Sequence, residues 1–157
     1  MVQLSHSQET MDAIYDAAVS YVSDLGWKII PTDIHSKIPL VAWKAKKYTL
    51  DDIEEWFDIG VRTKNGTRVQ SFNIAVVTGD PSGMVVVDAD NDEAIRQLAA
   101  MSIHSPLTVK TKKGKHLYFR HPGFHVGNVN GDFQGIDGCD VRGDGGIAVL
   151  PPSVRYD

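Results

Sequence analysis

The chain of 157 residues is 42% hydrophobic, enough for one compact domain with a real core. Sixteen basic against twenty acidic residues give a net charge of −4, which excludes a protein that coats nucleic acid through bulk charge. The single cysteine, Cys139, excludes an internal disulfide and a zinc site built from several cysteines. No apolar run reaches the ~18 residues of a membrane span and no signal-peptide pattern opens the chain, so a cytoplasmic protein is expected.

The first predicted element is a helix over residues 7–25, where Met11, Ile14, Tyr15, Ala18, Val22 and Leu25 recur at helical spacing and Gly26 supplies the stop. A short strand follows over 27–31, then a loop over 32–47 that carries Lys37, Pro39 and Trp43. Thr49 and Asp52 form a capping pair for a helix through about residue 58. From residue 73 the texture becomes strand-rich: 73–77, then a Gly-Asp-Pro-Ser-Gly turn, then the valine-rich run 84–88. Asn91 caps a helix through about residue 101. Further strands are expected over 108–111, 116–120, 139–142 and 147–150, with a glycine-rich loop over 123–137 and a hairpin-type turn over 143–146. Strands interleaved with helices read as α/β or α+β, and the strand-dense second half favours a mixed or antiparallel sheet.

Three segments carry chemistry. Val86-Val87-Asp88-Ala89-Asp90 ends a buried strand on a carboxylate, which is costly unless compensated. Residues two apart on a strand share a side, so Asp88 and Asp90 aim at one spot, and their mutual repulsion invites a divalent cation of the Mg²⁺ or Mn²⁺ type. The competing reading is a strand-end turn in which Asp90 caps the next helix. The second segment, residues 110–120, places Lys112, Lys113, Gly114 and Lys115 in a turn before His116. It reads as a phosphate cradle or as a solvated hairpin tip whose lysines protect a sheet edge. In the third, Asp140 and Arg142 lie on one side of a short strand, able to bring a carboxylate to metals and an arginine to a triphosphate. Asp144 reads as structural, since Asp-Gly suits a hairpin turn. Three carboxylates, a histidine and several cations on successive strand ends suit phosphoryl transfer assisted by two metals.

The order of these motifs resembles the bifunctional primase-polymerase domains of the archaeo-eukaryotic primase superfamily, found in phages, plasmids and other mobile elements. The resemblance runs through Leu25-Gly26-Trp27, Ile30-Pro31, Lys37-Ile38-Pro39-Leu40, Trp56-Phe57 and residues 73–79. It continues through the acid pair Asp88 and Asp90, the His116 motif, and Asp140 onward to Pro151-Pro152-Ser153. It implies an α+β, archaeo-eukaryotic primase-like fold: an RRM-related catalytic sheet over about 71–157 with a small N-terminal αβ portion over about 1–70, all one catalytic domain. It implies a template-directed nucleotidyltransferase, a DNA primase or polymerase, with Asp88, Asp90, His116 and Asp140 catalytic. Asp88, Asp90 and Asp140 would hold two Mg²⁺ or Mn²⁺ ions, and His116 would contact the phosphates of the incoming nucleotide. Lys115 and Arg142 join as phosphate contacts, while Lys37 faces nucleotide or template, or belongs to a purely structural loop. The implied partners are single-stranded DNA template, dNTPs or NTPs, and a helicase, separate or fused in a longer parent protein. Relatives usually continue beyond the Pro-Pro-Ser segment, so the resemblance implies either a C-terminal truncation here or a naturally minimal protein. The rival functions are a metal-dependent nuclease using the same acids and a nucleotide or single-strand binding module with a degenerate site.

Overall fold

A computed structural model describes residues 4–156; the polar start at Met1 and the terminal Asp157 lie outside the described residues. The chain folds as α+β with antiparallel strand pairing and divides into two compact units, one of the described residues up to Val77 with those from Val149 on, the other Thr78–Ala148. None of the described helices is long and apolar enough to cross a membrane.

The first unit opens with α1 (Gln8–Leu25), capped by the Ser7 hydroxyl, which accepts from Thr10 N–H. Gly26 ends it at φ 67°, a left-handed turn that costs glycine little, and its N–H reaches back to the carbonyl of Val22. Ile14 and Ala18 are fully buried along the inner stripe of α1. β1 (Ile29–Thr32) pairs antiparallel with β4 (Asn73–Val77), and β9 (Ile147–Val149) lies on the other side of β4. All five residues of β4 are buried, as expected for a central strand. α2 (Leu50–Ile59) starts with a full capping box: the Thr49 hydroxyl accepts from Asp52 N–H while the Asp52 carboxylate accepts from Thr49 N–H. Phe57 bridges the unit's aromatic packing, with Tyr15 at 5.2 Å and Phe72 at 4.7 Å between ring centroids. Asn73 ties the ends together, accepting from Val154 N–H, donating to its carbonyl, and meeting His6 Nε2 at 2.7 Å. A two-stranded hairpin, β2 (Val61–Arg62) with β3 (Arg68–Val69), was not expected from the sequence. It is too short, and too polar in its turn, to leave a periodic signal.

The second unit is a four-stranded sheet in the order β6-β7-β5-β8, formed by β5 (Met84–Ala89), β6 (Thr108–Lys110), β7 (Lys115–Arg120) and β8 (Cys139–Arg142). All three pairings are antiparallel. α3 (Asp92–Ala100) follows β5 and buries Ala94 and Leu98 in a core with Val87, Ala89, Leu117, Ile136, Cys139 and Val141. The sheet residues of that core are odd-numbered, so by strand alternation one face of the sheet is sealed by apolar packing. The even-numbered residues, Val86, Asp88, His116, Tyr118, Asp140 and Arg142, belong to the opposite face.

Thr49→Ala removes the hydroxyl half of the α2 capping box, and a loss of about 1 kcal/mol is expected in the urea unfolding free energy. A change below a few tenths of a kcal/mol would show that the box is ornamental.

Candidate active site

The centre of the site is one rung of the sheet. Asp88, at the end of the valine run in β5, lies opposite His116 of β7 on one side and opposite Asp140 of β8 on the other. All three belong to the face away from the α3 core, and Asp88 and Asp140 are buried at 8% and 9% exposure. The register therefore brings together three of the four residues singled out as catalytic. His116 Nε2 stands 3.4 Å from the Asp88 carboxylate. His116 Nδ1 is buried with no hydrogen-bond partner among the described residues, an unmet capacity that an oxygen-rich ligand would satisfy.

Asp140 is held from both sides. Its Oδ1 accepts from Gly131 N–H at 2.5 Å, and its Oδ2 receives Arg142 Nη2 at 2.8 Å. These two contacts compensate a carboxylate that would otherwise be buried beside Asp88. Arg142, paired with Val86 in register, also reaches Asn130 at 3.5 Å. Asp90 lies one residue beyond β5, exposed, with its N–H on the Gly138 carbonyl at 2.8 Å. It does not cap α3: the Asn91 side chain does, accepting from Ala94 N–H at 2.8 Å. The thiol of Cys139 registers the charge gathered here. Burial first, then Asp140, Asp88 and Asp90, push it up to about 11.

The basic segment is the tip of the β6–β7 hairpin. Thr111 N–H donates to the Gly114 carbonyl, and Gly114 N–H donates to the Thr111 hydroxyl, so the glycine amide is engaged within the turn. Gly114 is required for a different reason, because a Cβ there would lie 1.7 Å from the Ala89 carbonyl oxygen. Its bare backbone lets the turn close onto the end of β5. Lys115, opposite Ala89, alternates to the other side of the sheet from His116. Lys37 lies in the first unit with a left-handed φ of 63°.

The donor set on this face consists of hard carboxylate oxygens, which suits Mg²⁺ or Mn²⁺ and not a thiophilic metal. Among the described residues no three His, Cys, Asp or Glu side chains converge closely enough to hold a metal ion. The chemistry of the donors fits a hard divalent cation; their spacing is wider than a closed coordination shell.

One functional-looking cluster escaped the sequence reading. Asp144 accepts from Val126 N–H and Asp80 N–H, both at 2.9 Å, and meets His121 Nε2 at 3.1 Å and His125 Nδ1 at 3.2 Å. Gly123 N–H donates to His121 Nδ1, which leaves the proton on Nε2 to donate to Asp144. Asn128 completes the tie by accepting from Gly143 N–H and donating to the Asp144 carbonyl. Asp144 is structural, as expected, but it pins the glycine-rich loop and the 79–83 turn in place as well as forming its own turn. Its partners are far away in sequence, so no local signal announces them.

The Prim-Pol family model, bifunctional DNA primase/polymerase, N-terminal, matches residues 18–157. The chain belongs to the Prim-Pol family. No curated protein matches it. Membership in the Prim-Pol family implies a nucleotidyltransferase-type enzyme with DNA primase or polymerase activity in general, hence one that binds DNA and nucleotides. Prim-Pol enzymes generally use divalent metals.

The backbone N–H of Val126, then that of Asp80, holds the Asp144 carboxyl below its ordinary value of 3.8, with His121 adding to the effect against a smaller opposing influence of burial. A depressed carboxyl stabilises the fold above its unfolded-state pKa and loses that contribution as pH falls through the folded value. Asp144→Asn is therefore expected to lower the urea midpoint at neutral pH, with the gap to wild type closing as pH drops below about 4. A gap independent of pH would assign the loss to shape and not to charge.

Proposed function

We propose that this Prim-Pol domain is a template-directed nucleotidyltransferase that joins dNTPs or NTPs on single-stranded DNA, acting as a primase, a polymerase or both. The observation that carries the reading is the rung Asp88–His116–Asp140 on the face of the sheet opposite the α3 core. Asp88 and Asp140, with Asp90 just past the strand end, are the proposed ligands of two Mg²⁺ or Mn²⁺ ions. When bound, such ions supply Lewis-acid charge that favours ionisation of a primer 3′-hydroxyl and neutralises the triphosphate.

The protein's own groups do the rest. The antiparallel ladder fixes Asp88 and Asp140 in place before any substrate arrives, so little reorganisation remains at the moment of reaction. Gly131 N–H and Arg142 hold the Asp140 carboxylate at a set orientation. Arg142 has further N–H groups beyond the one on Asp140 and is proposed to donate them to phosphate oxygens. His116, held against Asp88 through Nε2, is proposed to offer its ring as a donor to the incoming nucleotide's phosphates. Lys115 at the strand start and Lys37 in the first unit are proposed as additional phosphate or template contacts. The archaeo-eukaryotic primase fold, with the chain working as one catalytic domain, is part of the same proposal and is supported by the antiparallel sheet with its helix on one face.

The test is extension of a labelled primer on single-stranded template with nucleotides and Mg²⁺ or Mn²⁺, alongside reactions without primer. Wild type is expected to extend, and Asp88→Asn and Asp140→Asn to lose activity by on the order of a hundredfold or more while melting like wild type. Full extension by either variant refutes the site. Degradation of the template in the absence of nucleotides would mark a nuclease instead, and strand binding without any metal-dependent turnover would mark a binding module.

A further inference from the structure

Charge in the first unit is sorted by element. α1 and α2 carry nine acids (Glu9, Asp12, Asp16, Asp24, Asp51, Asp52, Glu54, Glu55 and Asp58) and no lysine or arginine. The loop between β1 and α2 is the reverse: between Asp33 and Asp51 lie Lys37, Lys44, Lys46 and Lys47 and not one acid. Lys44, Lys46 and Lys47 are exposed, and none of the three has a salt-bridge partner among the described residues. Lys28 joins them from the end of β1, donating through Nζ to the Trp43 carbonyl at 2.8 Å. Burial and the proximity of Lys47 both hold the Lys28 ammonium below its ordinary value, so cationic charge is concentrated here.

Aromatic rings interleave with these cations. Lys44 Nζ sits 5.7 Å from the Trp43 ring centroid and Lys46 Nζ 5.7 Å from that of Tyr48. Tyr48 has a structural duty, packing on Trp56 at 5.1 Å and donating its hydroxyl to the Ala42 carbonyl at 2.5 Å. Trp43 is half-buried, with exposed Lys44 over its ring.

The loop is also built to hold its shape. The Asp33 carboxylate accepts from the N–H groups of His35 and Ser36 and from the Ser36 hydroxyl, while Leu40 N–H returns to the Pro31 carbonyl at 3.0 Å. A solvated lysine run needs neither such anchoring nor an indole in its midst. Exposed cations beside a half-buried indole are the elements of a single-strand platform, where lysines track phosphates and a base stacks on the ring. The anionic α1–α2 pair repels the same polyanion.

We propose that residues 37–48, with Lys28, form a binding surface for single-stranded DNA, with Lys44, Lys46 and Lys47 on phosphates and Trp43 stacking a base in place of Lys44. The proposal rests on the polymerase reading only for the strand's role as template; binding itself is tested without metal or nucleotides. The measurement is fluorescence anisotropy of a labelled oligodeoxynucleotide of about 20 residues with the whole chain, over a salt series. Lys44→Ala/Lys46→Ala/Lys47→Ala is expected to weaken binding at least about tenfold and to reduce the log–log salt slope by about 2, three phosphates at roughly 0.7 each. Trp43→Ala is expected to weaken binding about fivefold or more at unchanged slope, with Trp43→Phe restoring most of the loss. Because neither metal nor nucleotide is present, the binding readout is independent of catalysis, which separates failure of this surface from failure of the catalytic assignment. An oligoribonucleotide of the same length serves as a second arm, and binding that depends on the same residues supports the surface as a reader of single strands. Unchanged affinity and slope in the triple lysine variant would overturn the proposal, as would indifference to Trp43→Ala. So would tighter, lysine-dependent binding to phosphatidylserine-containing vesicles than to the oligonucleotide.

Discussion

The proposed catalytic site depends on the register of one strand. β5 is the central strand of its sheet, paired along its length with β7 and near its end with β8. Because side chains alternate with a period of two, a slip of one residue in either pairing would send His116 or Asp140 into the apolar core and bring Leu117 or Cys139 out. The valine run makes such a slip costly, since it would expose buried apolar side chains while burying charge. The contact of Gly114 with the Ala89 carbonyl is a second lock, tying the β6–β7 turn to the last residue of β5.

The same rung carries an electrostatic burden that the surroundings share out. Two buried carboxylates, with a third just past the strand end, would destabilise a sheet if left alone. Asp140 is compensated by a backbone amide and a guanidinium, and Asp88 stands beside an imidazole. Burial first, and then Asp140, Asp88 and Asp90, raise the nearby Cys139 thiol. A face that gathers carboxylates in this way suits a cationic guest.

Much of the local structure was readable from the sequence because its determinants are local. Ser7, Thr49 and Asn91 each start a helix by the bond their side chain makes a few residues on, and Gly26 ends one. The acid pair at a buried strand end carried its own physical argument. Cross-strand facts did not travel with the sequence. Asp90 competed with Asn91 for the cap, and only the backbone path decides between neighbours. Lys115 and His116 are adjacent in the sequence yet leave the sheet on opposite sides, a distinction that exists only once a strand boundary is placed. Asp144 looked like a turn residue because its turn is local, whereas its ties to Val126, Asp80, His121 and His125 depend on loops that meet only in three dimensions. The β2–β3 hairpin is four paired residues long, below what periodicity can register.

The topology of the two units has a consequence for how the protein is made. The first unit's sheet is β1-β4-β9, and between β4 and β9 the chain departs to build the whole of Thr78–Ala148. On the ribosome, β1 and β4 emerge before β9, so the edge of β4 that β9 covers stays bare until the intervening strands have followed. The second unit is continuous in sequence; it is held by one hairpin, β6–β7, and by the pairing of β5 with the later strands β7 and β8, all of which precede β9. The order of synthesis thus favours completion of the β6-β7-β5-β8 sheet before the N-terminal one, and leaves β4 as the segment most exposed to mispairing in the nascent chain.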